Sequence, residues 1–150
     1  MIMDRENTVS NAQAVTATAF STDVIDLGPL FSGNAGRDIG VSEEQVMSIT
    51  CTEAVTAAGA ATVTFEIVTD DNSSLSSPTV LFASAAIGKA TLVAGYVLNV
   101  RMPVSGYERF VGVRYTVATG PLTAGKFTAG IVMDPGFYRA YAVGSTNGVS

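Results

Sequence analysis

Hydrophobic and polar positions alternate along most of this chain with a period of two. That is the repeat of a pleated strand, whose successive side chains point to opposite faces. In residues 44–53, Met47, Ile49 and Cys51 fall on one side and Ser48, Thr50 and Thr52 on the other. In residues 61–69, Val63, Phe65 and Ile67 alternate with Thr62, Thr64 and Glu66. Residues 96–102 gather Tyr96, Leu98, Val100 and Met102 on one face, and residues 110–119 gather Val111, Val113, Tyr115 and Val117. Residues 126–134 align Phe127, Ala129, Ile131 and Met133. Shorter runs at 23–27, 79–83 and 138–143 predict further strands. Val, Ile, Thr, Tyr and Phe fill these runs because branched and aromatic side chains fit a half-buried pleated surface.

Turn chemistry separates the runs. Gly33, Asn34, Gly36 and Gly40 mark a loop, residues 70–78 are polar and Ser-rich, and residues 57–60 are all small. Residues 103–106 and 120–125 are expected to join adjacent strands, the second as a hairpin turn. Seven or eight short strands at this spacing predict an all-β chain, a β-sandwich or jelly roll in which each of two sheets buries one alternating face. Residues 7–20 are the one helix candidate, and their Val and Thr content argues against it. The chain therefore divides into an extended N-terminal arm (1–22), a single sandwich domain (23–143) and a polar C-terminal tail (144–150).

A length of 150 residues suits one domain, and 47% hydrophobic against 14% charged residues is enough apolar surface to pack a core. The absence of His removes His-based acid–base pairs, serine triads that use His, and histidine metal sites. A single cysteine removes intrachain disulfides and CxxC zinc sites. The net charge of −5 and the scattered basic residues argue against a nucleic-acid partner. With no apolar run of spanning length, no membrane partner is expected, and with no signal sequence, folding in a reducing cytoplasm is expected.

Few motifs carry chemistry. GPLTAGKF (120–127) has the spacing of a phosphate-binding loop, but Phe127 stands where Ser or Thr should follow the Lys, and a strand follows where a helix is needed. TDDN (69–72) concentrates oxygen ligands without a calcium-loop spacing, which favours Asx turns at a strand end. Glu43–Glu44 and the pair Glu53 and Glu66 read as solvated acids rather than a glycosidase pair. Lys89 and Lys126 sit in no nucleophile motif. Cys51 falls on an apolar face, as a buried inert thiol would. Arg109, between Glu108 and Phe110, reads either as a strand-end charge with a local partner or as an interface residue. Phe137, Tyr138 and Tyr141 read either as a last edge strand or as an aromatic arm docking on a neighbouring subunit. Tyr96, Tyr107 and Tyr115 are the aromatics that a carbohydrate-binding module of a fibre or surface structure would use.

A set of segments occurring in order carries more. It runs AQAVTA (12–17), STDVIDLG (21–28), RDIG (37–40), TDDN (69–72), SSPT (76–79), KATLVAGY (89–96), YER (107–109), YTVATGP (115–121) and TAG (123–125). Together, over residues 4–134, the chain resembles the capsid cement, or head decoration, proteins of tailed bacteriophages. That resemblance implies a jelly-roll-like fold, no enzymatic activity, no cofactor and no metal. It further implies a place on the outer surface of the expanded icosahedral head after synthesis in the host cytoplasm. The major capsid protein would be its partner, and a homo-oligomer, dimer or trimer, its form. The residues expected at a capsid or subunit interface are Met1, Ile2, Met3, Asp4 and Arg5 of the arm, with Arg109, Phe137, Tyr138 and Tyr141.

Overall fold

The protein is described here from a computed structural model over residues 3–28 and 44–133. Ten strands follow a short 3-10 turn, Arg5–Asn7. They are β1 (Thr8–Ala14), β2 (Ala19–Phe20), β3 (Ile25–Asp26), β4 (Gln45–Thr56), β5 (Thr62–Asp70), β6 (Thr79–Ala83), β7 (Ile87–Gly88), β8 (Val97–Arg101), β9 (Phe110–Ala118) and β10 (Ala124–Met133). The chain is thus all-β, as its alternation requires. The run predicted at 138–143 lies outside the described residues, as does the Gly-rich loop at 33–40. Among the described residues no helix is long and apolar enough to cross a membrane.

The strands form two antiparallel sheets. The first has the order β1-β10-β4-β8, and the second β2-β9-β5-β6, with β3 also on β9 and β7 also on β5. The pairings nest: β5 with β6 and β7, β4 with β8, β2 and β3 with β9, and β1 with β10. That is one long hairpin rolled on itself, a jelly roll. The pairs β10–β4 and β9–β5 then close each sheet, with β5 and β9 in unbroken register from Thr62 opposite Ala118 to Asp70 opposite Phe110.

Two expectations change. The connections after β8 and β9 do not join adjacent strands, since β8 and β10 lie in the first sheet and β9 in the second. The turn at 119–123 is therefore a crossover rather than a hairpin. Thr119 and Gly120, both at positive φ, supply the reversal, but local turn chemistry does not choose which sheet the chain enters. The N-terminal segment is also part of the sandwich instead of an arm beside it. Val9, Ser10 and Val15 are buried, and the Val9 carbonyl accepts from the Asp23 amide at 2.9 Å. Two register shifts along β1, with Ala12 at φ 46°, break the alternation that would have revealed a strand.

The core lies between the sheets. Phe65, Tyr115 and Phe127 form its aromatic centre, with Phe65 edge-on to both rings and Tyr115 stacked on Phe127 at 5.3 Å between centroids. Val9, Ile25, Met47, Ile49, Val63, Ile67, Leu92 and Val113 pack around them. Tyr115 keeps its hydroxyl satisfied in this setting by a 2.8 Å bond to Ser10 Oγ.

Candidate functional site

The expected interface residues separate in the structure. Met1, Ile2, Phe137, Tyr138 and Tyr141 lie outside the described residues. Met3 and Arg5 line an open cleft of about 330 Å³ with Thr8, Asn11, Asp23 and Thr128. Asp4 caps the turn beside it, accepting from the Glu6 amide at 3.4 Å while its carbonyl accepts from Thr8 Oγ1 at 2.7 Å. The cleft is bounded by the edge strand β1, which supplies Thr8 and Asn11. Met3 also lies over the first sheet: a Cβ built on Gly130 would sit 3.1 Å from its sulfur and 2.8 Å from the Asn7 carbonyl oxygen. Gly130 thus leaves room for the chain entering β1.

Arg109 has the local partner that one reading of its position anticipated. Its Nε and Nη2 donate to the two carboxylate oxygens of Asp26, both at 3.0 Å, and its guanidinium sits 4.9 Å from the Phe110 ring centroid. This pairing, together with the Gly28 amide, holds the Asp26 carboxyl below its ordinary value. The pair fastens β3 to the start of β9 on the second sheet. Arg114 is fastened in the same manner, with Nε and Nη2 on Glu66 at 2.6 and 2.9 Å, and Thr116 Oγ1 donates to the same carboxylate at 2.6 Å. The Glu66 carboxyl is lowered chiefly by Arg114.

The candidates for chemistry take up structural roles. Glu53 pairs with Lys126 at 2.6 Å in the first sheet, whereas Glu66 belongs to the second, so each acid has its own cation. Lys89 Nζ donates to the Ala57 carbonyl at 2.6 Å. Cys51 is buried, its thiol donates to the Glu53 carbonyl at 3.1 Å, and burial pushes its pKa up, away from thiolate. Tyr115 is fully buried and offers no face to a sugar. The Tyr107 hydroxyl donates to the Pro103 carbonyl at 2.6 Å, and burial raises its pKa to about 12.

Carboxylate oxygens of Asp70, Asp71 and Glu108 lie within 4.8 Å of one another and are the one group among the described residues able to approach a cation jointly. Asp70 is already engaged, accepting from the Asn72 amide at 3.2 Å and the Ser77 amide at 2.7 Å. Asn72 in turn accepts from the Ser74 amide at 3.0 Å. These are the Asx turns expected of TDDN, and they fold residues 71–78 back over the second sheet. Leu75, at φ 52°, is buried there against Gly112. The Ser77 and Asn72 amides hold Asp70 below its ordinary value, while a side-chain hydrogen bond to Asp70, and then the Asp70 charge, raise Asp71.

None of the exposed valines stood out in the sequence. Val80, Val93, Val97 and Val104 are all solvent-exposed. Val97 falls on the polar phase of its run, Val93 and Val104 fall in no run, and only the tertiary arrangement shows that β6 and β8 are edges.

The Bbp16 family model matches residues 9–131. No curated protein matches the chain.

Proposed function

The chain belongs to the Bbp16 family, and on that premise we propose that it is a non-enzymatic virion protein. It binds the outer surface of the expanded icosahedral capsid and cements neighbouring major capsid protein subunits. The observation that carries this reading is the extent of the resemblance to phage cement proteins. It runs over residues 4–134, and the described residues within that stretch form one jelly roll. A rigid sandwich with its carboxylates engaged by cations and amides suits a protein that acts by shape and contact area.

The mechanism is mass action. A ligand that binds the expanded lattice and not the unexpanded one stabilises expansion by its differential affinity. A copy that bridges two subunits gains further, because its second contact is made within the same complex. Co-sedimentation with expanded, undecorated heads of the source phage tests the reading, with unexpanded proheads as control. The expected result is saturable binding to expanded heads and a higher temperature of head disruption. Absence of binding to either particle would overturn it.

A further inference from the structure

Among the described residues each sheet ends in two edges, and they are not equally defended. β1 carries two register shifts, and β2 and β3 are two-residue pieces. β6 is bulged between its pairings to Ile67 and Val68, and β7 is two residues long. Bulges, breaks and short strands are the devices that keep an edge from accepting a foreign strand. β8 has none of them. It pairs with β4 without interruption, from Thr50 opposite Val97 to Val46 opposite Arg101. The ladder continues beyond both ends: the Cys51 and Val55 amides donate to the Tyr96 and Leu92 carbonyls, and the Met102 amide donates to the Gln45 carbonyl.

The chemistry of this edge is also distinct. No charged residue occurs from Thr91 to Val100, and Val93 and Val97 are 53% and 47% exposed. The edge ends in one cation, Arg101. Arg109 and Arg114 each hold a carboxylate through two short bonds, whereas Arg101 reaches Glu44 at 3.7 Å, with both side chains about two-thirds exposed. Its guanidinium fork remains open to a second carboxylate.

We infer that the β8 edge is a docking site for an extended segment of the capsid protein, which adds as a fifth strand to the first sheet. The segment is uncharged where it faces Val97 and Asn99, and it carries an Asp or Glu where it meets Arg101. Main-chain bonds supply the affinity in this mode of binding, and alternate side chains supply the specificity. One outward face of the added strand covers Val97, while the other side continues the core past Leu98 and Val100. The inference rests on the cement reading and names the surface that performs it.

The test uses the full chain on expanded heads. Arg101→Glu and Val97→Lys change exposed side chains, so both should keep the wild-type circular dichroism spectrum and melting temperature. Each is expected to weaken head binding about tenfold or more, the loss that follows from about 1.4 kcal/mol. Thr16→Lys, on the opposite flank, is expected to bind as wild type. Hydrogen exchange should show the outward-facing amides of Val97, Asn99 and Arg101 protected in head-bound protein relative to free protein. Wild-type binding combined with full affinity of Arg101→Glu and Val97→Lys would overturn the inference and leave the cement reading standing. So would unchanged exchange at Val97, Asn99 and Arg101. Absence of wild-type binding would overturn both.

Discussion

At Gly112 the difference between a hydrogen and a methyl group decides whether a loop can close over the second sheet. A Cβ there would lie 2.8 Å from Leu75 Cδ1 and 2.9 Å from Ser21 Oγ. Ser21 Oγ also accepts from the Val113 amide at 3.1 Å, so it cannot move freely. Gly112→Ala is therefore expected to cost about 1–3 kcal/mol, as overpacking does. Adding Leu75→Ala should return part of that loss, because the two residues share one space. Chemical denaturation of the two single variants and the double variant checks this, and simple additivity would remove Leu75 from the account. Tyr115→Phe keeps the aromatic stack and deletes the bond to Ser10 Oγ. The expected loss is about 1 kcal/mol, since Ser10 still donates to Gln13 Oε1 at 2.8 Å. Neither position announced itself in the sequence. Gly112 sits inside a strand-like run where a glycine has no local purpose, and its reason is a loop more than thirty residues upstream.

At the scale of elements, β1 shows how packing overrides pattern. Its residues mix buried Val9 and Ser10 with exposed Asn11 and Ala12, because two irregularities turn the strand as it passes along β10. The sequence offered polarity and weak helix propensity there, and both suggested an arm. Once the strand is seen in the sheet, shortening the N-terminus becomes a structural change as well as a binding change. Removal of residues 1–10 takes away Val9 and the Ser10 partner of Tyr115. It is expected to lower the melting temperature by several degrees, the shift that accompanies about 2 kcal/mol in a domain of this size. A melt unchanged from wild type would mean that β1 contributes no net stability. The long strands were legible because their alternation is sustained. β2 and β7 were not, because two residues cannot display a period.

For the molecule as a whole, the carboxylates set the response to acid. Asp26, Glu66 and Asp70 are all held below their ordinary values, by Arg109, by Arg114 and by the Ser77 amide respectively. A group with a depressed folded pKa stabilises the fold fully above its ordinary value, 3.8 for Asp and 4.5 for Glu, and loses that contribution as pH falls through the folded value. Thermal stability should therefore stay level from about pH 7 to about pH 5 and decline below about pH 4. Arg114→Met leaves Glu66 without its cation and should lower stability at neutral pH while making the acid decline shallower, because Glu66 then has less of a depressed folded pKa to lose. Melting curves across this range, with and without the substitution, decide the matter. An identical acid limb in both proteins would assign the acid sensitivity to the other carboxylates. The same ion pairs leave Arg101 as the less committed guanidinium on the described strands, and the docking experiment on expanded heads addresses it.

The sequence by itself determined that the chain is all-β, where its long strands run, and which side chains of β4, β5 and β9 face inward, with Phe127, Ala129 and Ile131 of β10; Met133, aligned with them by the alternation, is exposed at the strand end. Those properties follow from a period of two read locally, with turn residues marking the ends. It also determined that TDDN would form Asx turns and that Cys51 would be buried. Only the tertiary structure decided that the turns after β8 and β9 cross between sheets and that Arg109 belongs to Asp26. It also decided that β1 is a bulged edge while β8 is a clean one. These depend on pairings between residues as far apart as Thr8 and Gly130. A hydrogen-bond ladder is indifferent to that separation, and no local pattern records it.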